Sequence, residues 1–221
     1  MISEHMNNAV IRFKNELENA IITGENVNGE QVGGLKAKES FIRSSRLINH
    51  IHDAIKKELV DEGIDESRLL PPIGQMAPEL NLAGFLKKKK QDVTVTPEGI
   101  EREQRFIKWG PLQFEESIDA NGQEYSEKCL VINVRSQMSS LAKNADTLFE
   151  RTFAEPLNLH LVYPKLVLGE VYMIPLKEYD ETKMSDNKIE FKNRNVNVLK
   201  YISFFNAVNG RISTEDDLHK Y

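Results

Sequence analysis

The apolar residues of this chain fall first into helical spacing and only later into strand spacing. Residues 7–22 set Val10, Phe13, Leu17, Ala20 and Ile21 near one face, which predicts an amphipathic helix. A Gly- and Asn-rich stretch, 23–34, reads as a loop. A longer helix follows over 38–60, where Leu47, Ile51, Ile55 and Leu59 form an i, i+4 stripe that Gly63 terminates. Leu70-Pro71-Pro72-Ile73-Gly74 then ends the helical region. Residues 80–85 suit a first strand or a short helix. Residues 91–96 alternate, carry β-branched side chains and stop at Pro97. The polar stretch 98–128 contains Asn121-Gly122, a hairpin signal. Residues 129–134 are almost continuously apolar, as in a central strand covered on both faces. A helix over 145–162 holds Pro156, where a kink is expected. A strand over 168–176 follows. A last helix over 196–208 presents Leu199, Ile202, Phe205 and Val208 and stops at Asn209-Gly210. Helices, a strand meander, a helix, a strand and a helix predict an α/β fold layered around a mixed sheet.

Composition narrows this only a little. With 221 residues, 40% hydrophobic and 29% charged, the chain has the balance of an ordinary globular domain. No apolar run approaches a membrane span and no signal-peptide pattern opens the chain, so a cytoplasmic protein without a membrane partner is expected. The single cysteine, Cys129, excludes disulfide and thiolate-metal frameworks. Net charge is −5, which does not announce a nucleic-acid partner, although enzymes acting on nucleic acid need only a local basic surface beside an acidic metal site. Lys87-Lys88-Lys89-Lys90 is the strongest basic run and directly precedes Gln91-Asp92. Alone it reads as a solvated edge; beside an acid at a strand start it suits phosphate contact. No glycine-rich phosphate loop is present, and Trp109 and the tyrosines form no base-stacking motif.

One constellation carries chemistry. Along Val131-Ile132-Asn133-Val134-Arg135-Ser136-Gln137, the residues Asn133, Arg135 and Gln137 share one face. Three long polar groups in a row on a buried strand need a wet cleft, a ligand or a polar network. Asp92 heads the earlier strand; if the two strands are neighbours, it sits beside that ladder. Glu150 lies on the helix that follows. Glu170, on the last strand, reads as structural. His50, His52 and His160 fall in helical patterns without ligand partners at useful spacing and read as core or surface histidines.

This arrangement resembles the PD-(D/E)xK nuclease superfamily, particularly type II restriction endonucleases, over residues 79–175. The resemblance implies a restriction-endonuclease-like mixed central sheet flanked by helices, here with a helical N-terminal part (1–65), a catalytic core (79–176) and a C-terminal extension (177–221) in one domain. By this likeness Asp92 is the metal-binding acid that opens the second strand, and the (D/E)xK pair falls on 133–137. The sequence departs from the pattern there: no Glu-x-Lys exists, and the nearest readings are Asn133-x-Arg135 or Arg135-x-Gln137. Some of these enzymes carry Gln in the lysine slot, and others move the carboxylate to the following helix. Glu150 lies thirteen residues after Gln137, and Glu79 lies thirteen before Asp92, where several of them place an accessory acid.

The implied chemistry is Mg2+-dependent phosphodiester hydrolysis in double-stranded DNA at a short sequence, cut by a homodimer whose two-fold axis matches that of the site. Asp92 and Glu150, with Glu79, hold the metal; Arg135 stabilises phosphate charge and Gln137 orients the attacking water. Lys88, Lys90 and Lys143 supply positive charge at the DNA. Lys192 and Arg194 fall in one of two polar segments, 36–46 and 188–197, suited to base contact. The alternative is a non-catalytic DNA-binding or assembly subunit of the same fold, which the missing Glu-x-Lys favours.

Overall fold

The computed structural model describes residues 3–138 and 140–210. Three helices open the chain: α1 (Glu4–Thr23), α2 (Gly34–Arg43) and α3 (Ile48–Asp61). The Ser3 hydroxyl caps α1 by accepting the Met6 N–H at 3.1 Å, and Gly24, at φ +68°, ends it in the left-handed region. Phe13, Leu17, Ala20 and Ile21 are buried as the spacing predicts, but Ala9 and not Val10 completes the stripe. The single helix expected over 38–60 is two. The Ser44 hydroxyl donates to Phe41 O at 2.8 Å and receives the Arg46 N–H at 3.3 Å, and Ser45 takes φ +62°. Short hydroxyl side chains that bond the local backbone compete with helix continuation, and here they break it.

The remaining elements are β1 (Leu69–Leu70), β2 (Asn81–Ala83), β3 (Lys88–Lys90), β4 (Val93–Val95), β5 (Arg105–Phe106), β6 (Ile118–Asp119), α4 (Gln123–Glu127), β7 (Leu130–Ser136), α5 (Leu141–His160), β8 (Val167–Met173), β9 (Lys177–Tyr179), α6 (Glu181–Ser185), β10 (Phe191–Asn195) and α7 (Val198–Gly210). The main sheet has the order β1-β4-β7-β8. The pairs β1–β4 and β4–β7 are antiparallel, and β7–β8 is parallel across the α5 crossover. The fold is therefore mixed α/β, with a helical N-terminal part and a mixed sheet flanked by helices. The first sheet strand is β1, which ends on the first residue of the segment read as a breaker, whereas residues 81–83 pair with β3 in a separate hairpin. The Asn121-Gly122 hairpin signal is overridden: Asn121 is buried, its amide donates to Asn81 O at 2.8 Å, and Gly122 leads into α4.

Alternation along β7 divides the core. Ile132 and Val134, with Val93, Val171 and Met173, pack against α1 and α3. Val131 faces the other way, towards Leu159, Tyr163 and Leu166 at the end of α5. Beyond these, α7 covers the opening turns of α5 through Tyr201 and Phe205 against Leu141, Ala145 and Leu148. Cys129 is buried, and burial pushes its thiol up to about 12, so it acts as a small apolar residue.

The β2–β3 hairpin is clamped to α5 by one amide. Asn158 Oδ1 accepts the Leu86 N–H at 2.7 Å and the Lys87 N–H at 3.3 Å, while its Nδ2 donates to Lys87 O at 3.2 Å. A Cβ on Gly84 would overlap that amide. Gly84→Ala is therefore expected to lower stability by about 2 kcal/mol, as overpacking does, read as a shift in the urea midpoint. An unchanged midpoint would show that the clamp yields freely.

Candidate functional site

The β4–β7 ladder runs from Val95↔Leu130 to Val93↔Ile132 and stops. Upstream of Val93 the chain bends away to the hairpin, where the Gln91 N–H donates to Leu80 O at 2.9 Å. Asp92 stands at this fork. Its Oδ2 accepts the Val134 N–H at 2.8 Å, so a carboxylate replaces the backbone carbonyl that would otherwise continue the ladder. A regular strand would put Asp92 on the face of Asn133; the bend instead turns it to the side of α3. There Asn49, His52, Glu79, Asp92 and Val134 line a cavity of about 260 Å3. Asp92 and Glu79, both expected as metal ligands, are thus brought to one cavity. The Glu79 carboxylate is also paired with Lys90 at 3.4 Å.

The floor of this cavity is pinned. The buried Lys56 ammonium bonds Pro72 O at 3.0 Å, Gln75 O at 3.2 Å and Asp53 at 2.8 Å, which fixes the 71–76 loop on α3. His52 Nε2 is buried without a hydrogen-bond partner. Burial lowers the His52 pKa from its usual 6.5, against the opposing charge of Asp92, so the imidazole is neutral at neutral pH.

The polar ladder faces α5 instead, and Asn133 and Arg135 find partners there. Asn133 donates to Glu170 Oε1 at 2.8 Å and accepts from Lys89 Nζ at 2.9 Å. Lys89 and Arg135 both bond Glu155 of α5, and Arg135 Nε reaches Glu170 at 3.4 Å. Burial works against the Arg135 charge, but Glu155 and Glu170 outweigh it and hold the guanidinium protonated. Burial likewise raises the Glu170 pKa above the usual carboxylate value. Arg135, expected to stabilise phosphate charge, is here bonded by two carboxylates. The role read for Glu170, structural, matches its bonds.

Arg135 and Gln137 do line a second cavity, of about 470 Å3, with Asn144, Thr147 and Arg151 at the start of α5. The two cavities meet β7 at consecutive residues, Val134 and Arg135, and so open on opposite faces of the same strand end. Glu150 is exposed on α5 and lines neither cavity, so the structure does not bring it to Asp92. Lys88, Lys90 and Lys143 are exposed. Lys192 is engaged by Glu178 and Glu181 at 3.9 and 3.3 Å, and Arg194 lines a separate cavity beside Tyr201 of α7; both belong to the β9–β10 ribbon, outside the main sheet.

Three participants escaped the sequence reading. Glu155 had a signal: with Thr152 and Leu159 it falls on the sheet-facing stripe of α5, where an unpaired acid is not tolerated. Lys89 alternates with its exposed neighbours Lys88 and Lys90, a strand pattern hidden in a lysine run. His52 lies on α3 three residues after Asn49, and only the tertiary placement of α3 under the fork reveals it. No protein-family model, no curated protein and no solved structure matches this chain.

Proposed function

We propose that the chain is a Mg2+-dependent endonuclease of the restriction-endonuclease type, hydrolysing phosphodiester bonds in double-stranded DNA. The observation that carries the reading is the Asp92 carboxylate at the fork of β4 and β7, lining a cavity with Glu79 on one face of a strand end whose other face carries an arginine-bearing cavity. The element order supports it: α3, three antiparallel strands, α5 and a parallel strand follow the sequence implied by the resemblance. Among the described residues no three acidic, histidine or cysteine side chains group round one point; the reading rests on Asp92 and Glu79, which line one cavity, and on the second oxygen of Asp92, which makes no hydrogen bond or ion pair among the described residues. When bound, Mg2+ supplies an activated water and neutralises phosphate charge. Asp92 and Glu79 would hold it. Arg151 and Gln137, which line the cavity on the opposite face of β7, would meet phosphate there, while Arg135 orders the strand through Glu155 and Glu170. Lys88 and Lys90 lie on the exposed side of the hairpin that leads to Asp92, suited to the DNA backbone. Exposed Phe153 and Leu157 on α5 and Leu161 just after it, with Leu199 and Ile202 on α7, support a homodimer.

A second reading, a non-catalytic DNA-binding subunit, is favoured by the compensated Arg135 and the absent Glu-x-Lys. Incubating the protein with phage DNA separates them. The nuclease reading expects discrete bands with Mg2+ and none with a chelator; shifted but uncut DNA supports the second reading, and neither effect overturns both.

A further inference from the structure

The main sheet ends on two unlike edges. β1 has two residues, whereas β8 has seven, and among the described residues no element except β7 runs beside β8. The Gln137 N–H donates to Met173 O at 3.0 Å, so the backbone groups of Met173, and by alternation of Val171, Gly169 and Val167, face β7. The backbone groups of Leu168, Glu170 and Tyr172 face outward and find no hydrogen-bond partner among the described residues. An open edge is a template for another strand, and edges are ordinarily blunted by brevity, lysine, proline or a bulge. β1 is short, but β8 is long, regular in its pairing, and holds no lysine, arginine or proline. Its one charge, Glu170, is already held by Asn133 and Arg135. None of the β8 residues is buried, while β7 at equal length buries three, so β8 stands uncovered.

We propose that the occupant of this edge is a second copy of the chain, with β8 paired antiparallel to β8 across a two-fold axis at Val171. The sequence of the strand selects both the partner and the register. Outward from Val171, Leu168 meets Ile174 of the second copy, Gly169 meets Met173 and Glu170 meets Tyr172. Apolar thus faces apolar, small faces large, and each carboxylate faces a phenol. An axis at Glu170 would oppose two carboxylates, and one at Gly169 would set Leu168 against Glu170. The outward backbone groups agree: Glu170 and Tyr172 of opposite copies exchange N–H···O bonds, and the two Val171 form a non-hydrogen-bonded pair. A seven-residue ladder alone falls short of the roughly 800 Å2 per partner that a stable dimer buries. Half-exposed Ile202 of α7 lines one cavity with Leu168, Tyr172 and Ile174, so apolar surface flanks the edge and extends the contact. This pairing gives the proposed homodimer its interface and rests on that part of the reading alone, with none of its DNA chemistry. In register with Val171 on β7 stands Val134, the residue bonded to Asp92. The two-fold therefore sets both Asp92 forks in one row across the joined sheets, their Val134 residues three strand spacings, about 14 Å, apart.

The test uses the full chain without DNA or Mg2+. Light scattering behind size exclusion is expected to give twice the chain mass at micromolar concentration. Amide hydrogen exchange is expected to slow at Glu170 and Tyr172 by about 100-fold as the protein is concentrated from monomer to dimer, which no contact within one chain produces. Val171→Cys is expected to form an intermolecular disulfide on mild oxidation, since non-hydrogen-bonded strand neighbours stand about 4.5 Å apart at Cα, within disulfide reach. Val167→Cys, at a position 58% exposed but away from the axis, is the control for random collision, and buried Cys129 stays out of the reaction. The exchange measurement on the wild type decides the matter even if a variant fails to fold. A single-chain mass at every concentration, a dimer whose Glu170 and Tyr172 amides exchange freely, or Val167→Cys cross-linking as readily as Val171→Cys overturns the pairing. A monomer that cuts DNA removes this interface and leaves the nuclease; a β8-paired dimer that leaves DNA uncut does the reverse.

Discussion

Asp92→Asn is expected to lower Mg2+-dependent DNA cleavage by about 1,000-fold or more, roughly 4 kcal/mol of transition-state stabilisation, while leaving the fold intact. The substitution is chosen by the geometry. The carboxylate has two tasks: Oδ2 accepts the Val134 N–H and the other oxygen faces the cavity. Asparagine keeps an acceptor oxygen for Val134 and removes the negative charge. Alanine removes both and leaves a backbone N–H without its partner, which adds about 1–3 kcal/mol of destabilisation. The comparison separates chemistry from structure. Asn should match the wild type in urea denaturation and fail in cleavage, whereas Ala should fail in both. An Asn variant that cuts DNA at the wild-type rate removes Asp92 from the site, whatever the enzyme class.

The large features of the fold are legible in the sequence because hydrophobic period and burial coincide there. The Leu47–Ile51–Ile55 stripe, the apolar run at 129–134 and the α5 periodicity each meet an apolar partner surface, so pattern and packing agree. Short elements are not legible. β1 has two residues and is a strand only because Leu69 and Leu70 pair with Val95 and Thr94, a partnership no local window contains. Asn121-Gly122 carries hairpin chemistry, but burial of the Asn121 amide against Asn81 O decides its conformation.

The candidate site divides along the same line. The resemblance singles out Asp92 and Glu79, and the structure places both on one cavity. What alternation could not show is that one bend, at Asp92, reverses which face its carboxylate serves. Alternation did place Asn133 and Arg135 on one face. It could not say that Lys89, Glu155 and Glu170 would be waiting there to bond them. A polar ladder on a buried strand demands partners, and whether those are ligands or side chains is a tertiary fact.

Glu155→Gln should be the most destabilising single charge removal in the network, by about 3 kcal/mol at pH 7. Glu155 is shared by two cations, and the side chains of Lys89 and Arg135 are only 17% and 22% exposed. Neutralising the acid leaves both poorly solvated with Glu170 as their remaining carboxylate. The effect should depend on pH in a definite sense. Burial alone would raise the Glu155 pKa, but hydrogen bonds and charge from Lys89 and Arg135 prevail and hold it below its usual 4.5. A depressed folded value means the contribution is fully present above 4.5 and is lost as pH falls through the folded value. The gap in unfolding free energy between wild type and Glu155→Gln should therefore close in acid. Glu170 runs the other way. Burial raises its folded pKa above 4.5, so its favourable linkage is present below 4.5 and is lost as pH rises through that value. Glu170→Gln should accordingly lose least, relative to wild type, at neutral pH. Urea titrations of both variants across the acid range measure the two slopes. Parallel slopes would mean that the carboxylates are solvated and that the network does not organise β7. If the slopes oppose, replacing Lys89, Arg135 and Glu155 together by apolar residues should recover most of the stability lost in Glu155→Gln, because a buried pair is weaker than the packing that can replace it.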